Sequence, residues 1–131
     1  MSHLNILLVD DNPQFLKVAR QLIAALPGVD RIDCANSGGD ALARAAKSPP
    51  DLVLTDIQMP SMNGFEVIRT LRARDAPPRV VAMTVHDSPQ YRAAALRMGA
   101  EECIAKHDLA MLLPEMIASL AGSAAESELR A

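Results

Sequence analysis

Three short runs of apolar, largely β-branched residues recur along the chain, and they constrain its fold more than any other feature. They span residues 6–9, 52–55 and 80–84. None of them alternates apolar with polar residues, which is typical of strands that are covered on both faces, as in a parallel sheet. Residues 31–35 and 102–105 are weaker strand candidates.

Segments with helical periodicity separate these strands, because their apolar residues recur at intervals of three and four. Asn12 before Pro13 is a typical helix start, with a polar N-cap and a proline in the first turn, and Ser88 before Pro89 repeats it. Gly99 is well placed to end the fourth helix. This alternation predicts five β-α units, which form a parallel sheet with helices on both faces. The predicted helices span residues 13–26, 38–46, 64–74, 91–98 and 109–120.

The last predicted helix contains Pro114, whose ring clashes with the preceding turn of a helix interior. Either this helix begins late or Pro114 kinks it. The apolar periodicity ends near Gly122. We therefore expect residues 1–121 to form the folded domain and residues 122–131 to form a flexible tail or the start of a linker.

The composition excludes several classes of protein. The 131 residues are 50% hydrophobic and 22% charged, which is typical of one globular domain with its own core. No apolar run reaches the roughly 20 residues of a membrane span, and the N-terminus does not resemble a signal peptide, so we expect a cytoplasmic protein without membrane contact. The net charge of −3 argues against direct nucleic-acid binding.

Charged and polar residues stand where the predicted strands end. Asp10 and Asp11 follow the first strand, Asp56 follows the third, Thr84 ends the fourth and Lys106 follows the fifth. Ligands of open parallel sheets bind beyond the carboxyl ends of the strands. We therefore expect three carboxylates, a hydroxyl and an ammonium group to converge at one edge of the sheet.

Three converging carboxylates favour a magnesium site with phosphoryl chemistry. A hard divalent cation relieves their repulsion, and Mg²⁺ keeps waters that a phosphate can replace. A carboxylate can also attack phosphorus and form an aspartyl phosphate. Asp56 is the expected nucleophile because it stands alone at a central strand, whereas Asp10 and Asp11 form an acidic pair. Lys106 and Thr84 are suited to stabilise the transferred group.

These motifs resemble the receiver domain of two-component response regulators. The resemblance is carried by residues 6–11 (Ile-Leu-Leu-Val-Asp-Asp), residues 56–64 (Asp-Ile-Gln-Met-Pro-Ser-Met-Asn-Gly), Thr84 and Lys106. It covers about residues 4–120. It implies a flavodoxin-like, doubly wound (βα)5 fold whose five-stranded parallel sheet has the order 2-1-3-4-5.

The resemblance further implies a phosphorylation switch. A sensor histidine kinase or a phosphotransfer protein would phosphorylate Asp56 in a Mg²⁺-dependent reaction. Asp11 and Asp56 would bind the metal directly, and Asp10 would hold one of its waters. The backbone carbonyl of Gln58 would be a further ligand.

The resemblance also assigns the switching residues and a partner surface. Thr84 would move to bind the phosphoryl group, and Lys106 would pair with it. The face formed by the fourth helix, the fifth strand and the fifth helix would contact partners, including a second copy of the chain in a homodimer. Residues 85–88 resemble the subfamily whose output is usually a helix-turn-helix, which implies a role in transcription regulation.

Several positions depart from the family pattern or flank the site. Cys103 stands where the family usually has Tyr or Phe, whose inward rotation accompanies switching, so the usual aromatic relay is absent or replaced. His107 stands in place of the usual Pro. Val85 replaces a smaller residue and is expected to obstruct water and bulky donors, which predicts slow loss of phosphate and slow labelling by small phosphodonors. His86 and Gln58 are expected to position or exclude water, in a direction that the sequence does not decide.

Two other functions are compatible with the same residues. A Mg²⁺-dependent phosphohydrolase with an aspartyl-phosphate intermediate would need a substrate pocket and usually a cap insertion, and the short loops leave little room for either. A receiver-like interaction module locked in one state is the other alternative, because Cys103 replaces the aromatic residue. We expect no enzyme activity beyond self-catalysed phosphotransfer and dephosphorylation.

Overall fold

Five parallel strands alternate with five helices along the chain. The computed structural model describes residues 4–59, 64–85 and 88–130, and of residues 121–130 it describes the backbone alone. The elements are β1 (Leu4–Val9), α1 (Pro13–Ala24), β2 (Val29–Ala35), α2 (Gly38–Lys47), β3 (Leu52–Asp56), α3 (Gly64–Arg72), β4 (Arg79–Thr84), α4 (Pro89–Met98), β5 (Glu102–Ala105) and α5 (Leu109–Arg130).

The sheet has the order β2-β1-β3-β4-β5, and every neighbouring pair is parallel. This confirms the predicted doubly wound fold and its strand order. Residues of α1 and α5 pack on one face of the sheet, and residues of α2, α3 and α4 pack on the other. Every residue of β3 is buried, because this central strand is covered on both faces. The non-alternating apolar runs of the sequence follow from that coverage.

The predicted helix starts are present. Asn12 Oδ1 accepts hydrogen bonds from the backbone N–H groups of Gln14 and Phe15 at 3.0 and 3.3 Å. Ser88 caps α4 in the same way. Gly99 ends α4 with a φ of 115°, a left-handed conformation that glycine adopts without strain. Local capping chemistry therefore fixes where α1 and α4 begin, within five residues of the strand ends that carry the polar residues.

The predicted end of the last helix near Gly122 is wrong, since α5 continues to Arg130. A single glycine in a helix costs only about 1 kcal/mol relative to alanine, and the residues that follow include good helix formers. Pro114 lies inside α5, so the helix does not begin after it. The domain boundary after residue 121 stays a prediction. None of the helices in the described residues is long and apolar enough to cross a membrane.

The start of α3 is pressed against the end of β3, and this contact requires a glycine. A Cβ atom on Gly64 would lie 2.1 Å from the carbonyl oxygen of Asp56 and 2.4 Å from the Cα of Ile57. The N–H of Gly64 donates to the carbonyl of Ile57 at 3.2 Å. Gly64 therefore lets α3 buttress the backbone that carries Asp56.

We expect Gly64→Ala to lower the free energy of unfolding by about 1–3 kcal/mol, because the backbone of β3 or α3 must shift to admit the methyl group. Urea denaturation measures this change. Gly39→Ala is the matched control, since no atom lies within 4 Å of a Cβ built there. That control is expected to be neutral or to stabilise by up to about 1 kcal/mol. Equal effects of the two substitutions would contradict the close contact.

Candidate functional site

The structure brings three carboxylates together at the carboxyl edge of the sheet. Asp10 and Asp11 directly follow β1, and Asp56 ends the neighbouring strand β3. One oxygen of each carboxylate lies within 4.8 Å of the others. Asp10 and Asp56 are buried, whereas Asp11 is exposed. The convergence follows from the parallel pairing of β1 with β3, which places both strand ends at the same edge.

Lys106 supplies the positive charge of this cluster. It begins a short 3-10 turn, Lys106–Asp108, directly after β5. Its Nζ lies 2.5 Å from Asp10 Oδ2 and 3.4 Å from Asp56 Oδ2. The same Nζ lies 4.5 Å from the ring centre of Phe15, a cation–π distance. One ammonium group therefore contacts two buried carboxylates and is held over an aromatic face.

The two carboxylate oxygens of Asp10 have different partners. Its Oδ1 accepts the backbone N–H of Asn12 at 2.9 Å. Its Oδ2 is buried and, among the described residues, forms an ion pair with Lys106 and has no further partner. Buried carboxylate oxygens are usually hydrogen-bonded or bound to a cation. This donor set of clustered oxygens fits a hard cation such as Mg²⁺.

Asp56 has a pKa above its ordinary value of 3.8. Burial is the largest cause, because desolvation disfavours the charged carboxylate. The backbone N–H of Gln58, which donates to Asp56 Oδ1 at 3.1 Å, and the charge of Lys106 lower the pKa, while the charge of Asp10 raises it. Burial makes the ionised carboxylate more basic than a solvated one, which suits a nucleophile.

Thr84 and Val85 lie at the end of the next strand. Thr84 is the last residue of β4 and is 2% exposed. Asp56 lies opposite Met83 in the pairing of β3 with β4, so the threonine stands one position beyond it at the same edge. Val85 follows and is 62% exposed, so its side chain is mostly in solvent. The effect predicted for Val85 on the access of water stays a prediction, and His86 lies outside the described residues.

Aromatic residues that sequence reasoning assigned no role flank this site. Tyr91 of α4 accepts a hydrogen bond from Gln58 Nε2 at 3.0 Å. Its ring stacks on Phe65, with centroids 6.4 Å apart and an angle of 13° between the planes. Together with Phe15, these are the two Phe and the one Tyr of a chain that has no Trp. Two features of the sequence could have identified these residues. The chain has few aromatic residues, and each of the three lies in the first turn of a helix that follows a polar strand end.

Cys103, at the position where an aromatic residue was expected, is buried. It is 6% exposed and belongs to the core cluster that also contains Ala95 of α4 and Ala100. Cys34 lies on the opposite edge strand β2, and the two cysteines do not form a disulfide. The side chain that lies between the sheet and α4 at position 103 is therefore small. It has no aromatic ring whose rotation could accompany switching.

We expect Asp56→Asn to raise the free energy of unfolding at pH 7 in metal-free buffer. A raised native pKa means that ionisation of Asp56 disfavours the folded state, so its stability falls as pH rises through that range and stays lower above it. The gain from the amide should therefore be present at pH 7 and vanish by about pH 3, below the ordinary pKa of an aspartate, where both states are protonated.

Urea denaturation at both pH values measures this difference, with the exposed residue Asp75 changed to Asn as the control. The control should alter stability by less than about 0.5 kcal/mol at either pH. A gain that persists at low pH, or no gain at pH 7, would contradict the assigned cause.

Comparison with known proteins agrees with this geometry. The sequence profile described as "Response regulator receiver domain" matches residues 6–117. The nitrate/nitrite response regulator protein NarL of Escherichia coli K12 is 34% identical over 101 residues, which are 77% of this chain and 47% of that protein. A protein-glutamate methylesterase/protein-glutamine glutaminase of Myxococcus xanthus is 35% identical over 107 residues, 81% of this chain and 31% of that protein.

The chain thus spans between 31% and 47% of the length of these two relatives. Among solved structures, the signal receiver domain of the response regulator NarL from Mycobacterium tuberculosis has a TM-score of 0.85 at 25% identity, covering 93% of this chain and 98% of that one. The profile match spans most of the chain, and the fold, the strand order and the acidic cluster agree with it. The chain belongs to the receiver domain family of two-component response regulators.

Proposed function

We propose that this receiver domain is a switch in which Asp56 accepts a phosphoryl group from a sensor histidine kinase or a phosphotransfer protein. The observation that carries the proposal is the charge arrangement at the sheet edge. Three carboxylates have oxygens within 4.8 Å of one another, and Lys106 contacts two of them. Asp56 is the buried member of the cluster that ends a central strand, with its orientation held by the N–H of Gln58.

The chemistry is an exchange of one phosphorus bond for another. An oxygen of the ionised Asp56 carboxylate attacks phosphorus while the bond from phosphorus to the donor imidazole nitrogen breaks. Lys106 neutralises charge on the transferred oxygens, and the Thr84 hydroxyl can donate a hydrogen bond to one of them.

The same site would hold Mg²⁺. Its ligands would be Asp11, Asp56, the Gln58 carbonyl and a water held by Asp10. The bound cation would further neutralise the phosphoryl oxygens.

We propose that Thr84 converts phosphorylation into a change of conformation. It is buried at the end of β4 and lies four residues before Ser88, the N-cap of α4. A phosphoryl group on Asp56 can shift the domain only by favouring one of two conformations. A hydroxyl that bonds to the phosphoryl group provides such a preference, and α4 follows because it begins shortly after β4.

The face of α4, β5 and α5 is the proposed partner surface. A groove of about 420 Å³ lies there, lined by residues that include Arg92, Leu96, Cys103 and Leu112. We propose that a partner or a second copy of the chain binds this face in one state of the switch. Because residues 85–88 resemble the subfamily whose output is usually a helix-turn-helix, a transcriptional output in a longer protein is part of this proposal, with no direct nucleic-acid contact by the receiver domain itself.

One observation favours an alternative, a receiver-like interaction module locked in one state. Cys103 is buried in the position of the expected aromatic residue, so the usual side-chain relay has no ring to rotate. The two functions differ in one property. A switch accepts a phosphoryl group on Asp56, whereas a locked module neither accepts it nor binds a phosphoryl analogue.

We expect acetyl phosphate with Mg²⁺ to add the mass of one phosphoryl group to the wild-type chain in intact-mass analysis. Asp56→Ala should give no adduct, and Lys106→Ala should slow its formation by about 100-fold, because one charge that stabilises the transition state is lost. Asp75→Asn is the exposed control and should label normally. An adduct of unchanged yield in Asp56→Ala, or no wild-type adduct, would refute the proposal.

We expect Val85→Ala to speed both labelling by acetyl phosphate and loss of the phosphoryl group, because a smaller side chain beside the site obstructs water and donor less. Intact-mass time courses with and without the phosphodonor measure the two rates. If neither rate changes, Val85 does not control access to the site.

A further inference from the structure

Gln58 joins the acceptor carboxylate to helix α4. Its backbone N–H donates to Asp56 Oδ1 at 3.1 Å, and its side-chain Nε2 donates to Tyr91 Oη at 3.0 Å. The first contact reaches the end of β3, and the second reaches the first turn of α4. A displacement of the Gln58 backbone therefore alters both.

Tyr91 is itself tied to its surroundings. Its backbone N–H donates to the N-cap Ser88 Oγ at 3.3 Å, so the residue belongs to the capped first turn of α4. Its ring stacks on Phe65, the residue after the glycine that contacts the backbone of Asp56. The phenol oxygen is thus held where Gln58 can reach it, and α3 and α4 are both linked to the acceptor strand.

We propose that the Gln58–Tyr91 hydrogen bond is a latch that holds α4 in the arrangement of the unmodified domain, and that its release reports phosphorylation to α4. The inference rests on the proposed function of Asp56 as phosphoacceptor. It assigns to Tyr91, the only tyrosine of the chain, the task of linking the site to α4 that the buried thiol of Cys103 cannot perform.

Phosphorylation weakens the contact that positions Gln58. The Asp56 oxygen that accepts its N–H belongs to a carboxylate, which is a strong, charged acceptor. In an acyl phosphate that oxygen is a carbonyl or an ester oxygen, and the negative charge resides on the phosphoryl group instead. The Gln58 N–H then loses its strongest acceptor. Although the Gln58 carbonyl would still bind Mg²⁺, the exposed side chain loses one of the contacts that orient it toward Tyr91.

A latch that exists only in the unmodified state opposes the phosphorylated one. Removing it shifts the equilibrium by the free energy of the bond alone. For one partly exposed neutral hydrogen bond, this corresponds to an increase of about two- to five-fold in the affinity for a phosphoryl analogue.

The test is calorimetric titration of the full chain with beryllofluoride in the presence of Mg²⁺. Gln58→Ala, which keeps the backbone N–H, and Tyr91→Phe should each bind about two- to five-fold more tightly than the wild type. The double variant should bind no more tightly than either single variant, because both remove the same bond. Gln90→Ala, an exposed glutamine in the same turn of α4, is the matched control and should bind as the wild type does.

Tyrosine fluorescence gives an independent readout, since the chain has one Tyr and no Trp. Beryllofluoride should change the emission of Tyr91 in the wild type and change it less in Gln58→Ala. Additive effects of the two substitutions, unchanged affinity or weaker binding would each overturn the latch while leaving the phosphoacceptor function intact. A wild type that does not bind beryllofluoride would overturn the phosphoacceptor function and the latch with it.

Discussion

The site depends on like charges that are forced together in a region from which water is largely excluded. Asp10 and Asp56 are buried beside each other, and Asp11 completes the cluster. Lys106 offsets part of this repulsion, yet the pKa of Asp56 stays above its ordinary value, chiefly because of burial. An arrangement of this kind favours any event that adds positive charge or spreads negative charge outward. Cation binding does the first, and phosphoryl transfer to Asp56 would do the second.

The fold maintains this arrangement through tight backbone packing. Parallel pairing of β1 with β3 places the acidic strand ends side by side, and Gly64 lets α3 lie directly against the backbone of Asp56. Because no side chain fits between them, movement of the acceptor strand and of α3 is coupled. The hydrogen bond from Gln58 to Tyr91 extends the same coupling to α4. Changes at Asp56 can therefore reach α3 through the contact at Gly64 and α4 through the bond from Gln58 to Tyr91.

Much of this could be predicted from the sequence, because the decisive signals are local. The apolar runs identify buried strands, Asn12 and Ser88 identify helix starts, and the strand ends identify the polar cluster.

Side-chain contacts could not be predicted in this way. The reach of Lys106 over Phe15 depends on the rotamers of residues far apart in sequence, as does the contact of Gln58 with Tyr91. The end of α5 was misjudged because Gly122 alone is a weak stop signal.

Asp56, rather than Asp10 or Asp11, is the residue that we propose to receive the phosphoryl group. Borohydride reduces an acyl phosphate to the alcohol, so a phosphorylated aspartate becomes homoserine and its position can be read by peptide sequencing. After treatment with acetyl phosphate and Mg²⁺, reduction should place homoserine at position 56. Homoserine at position 10 or 11, or at no position, would contradict the account.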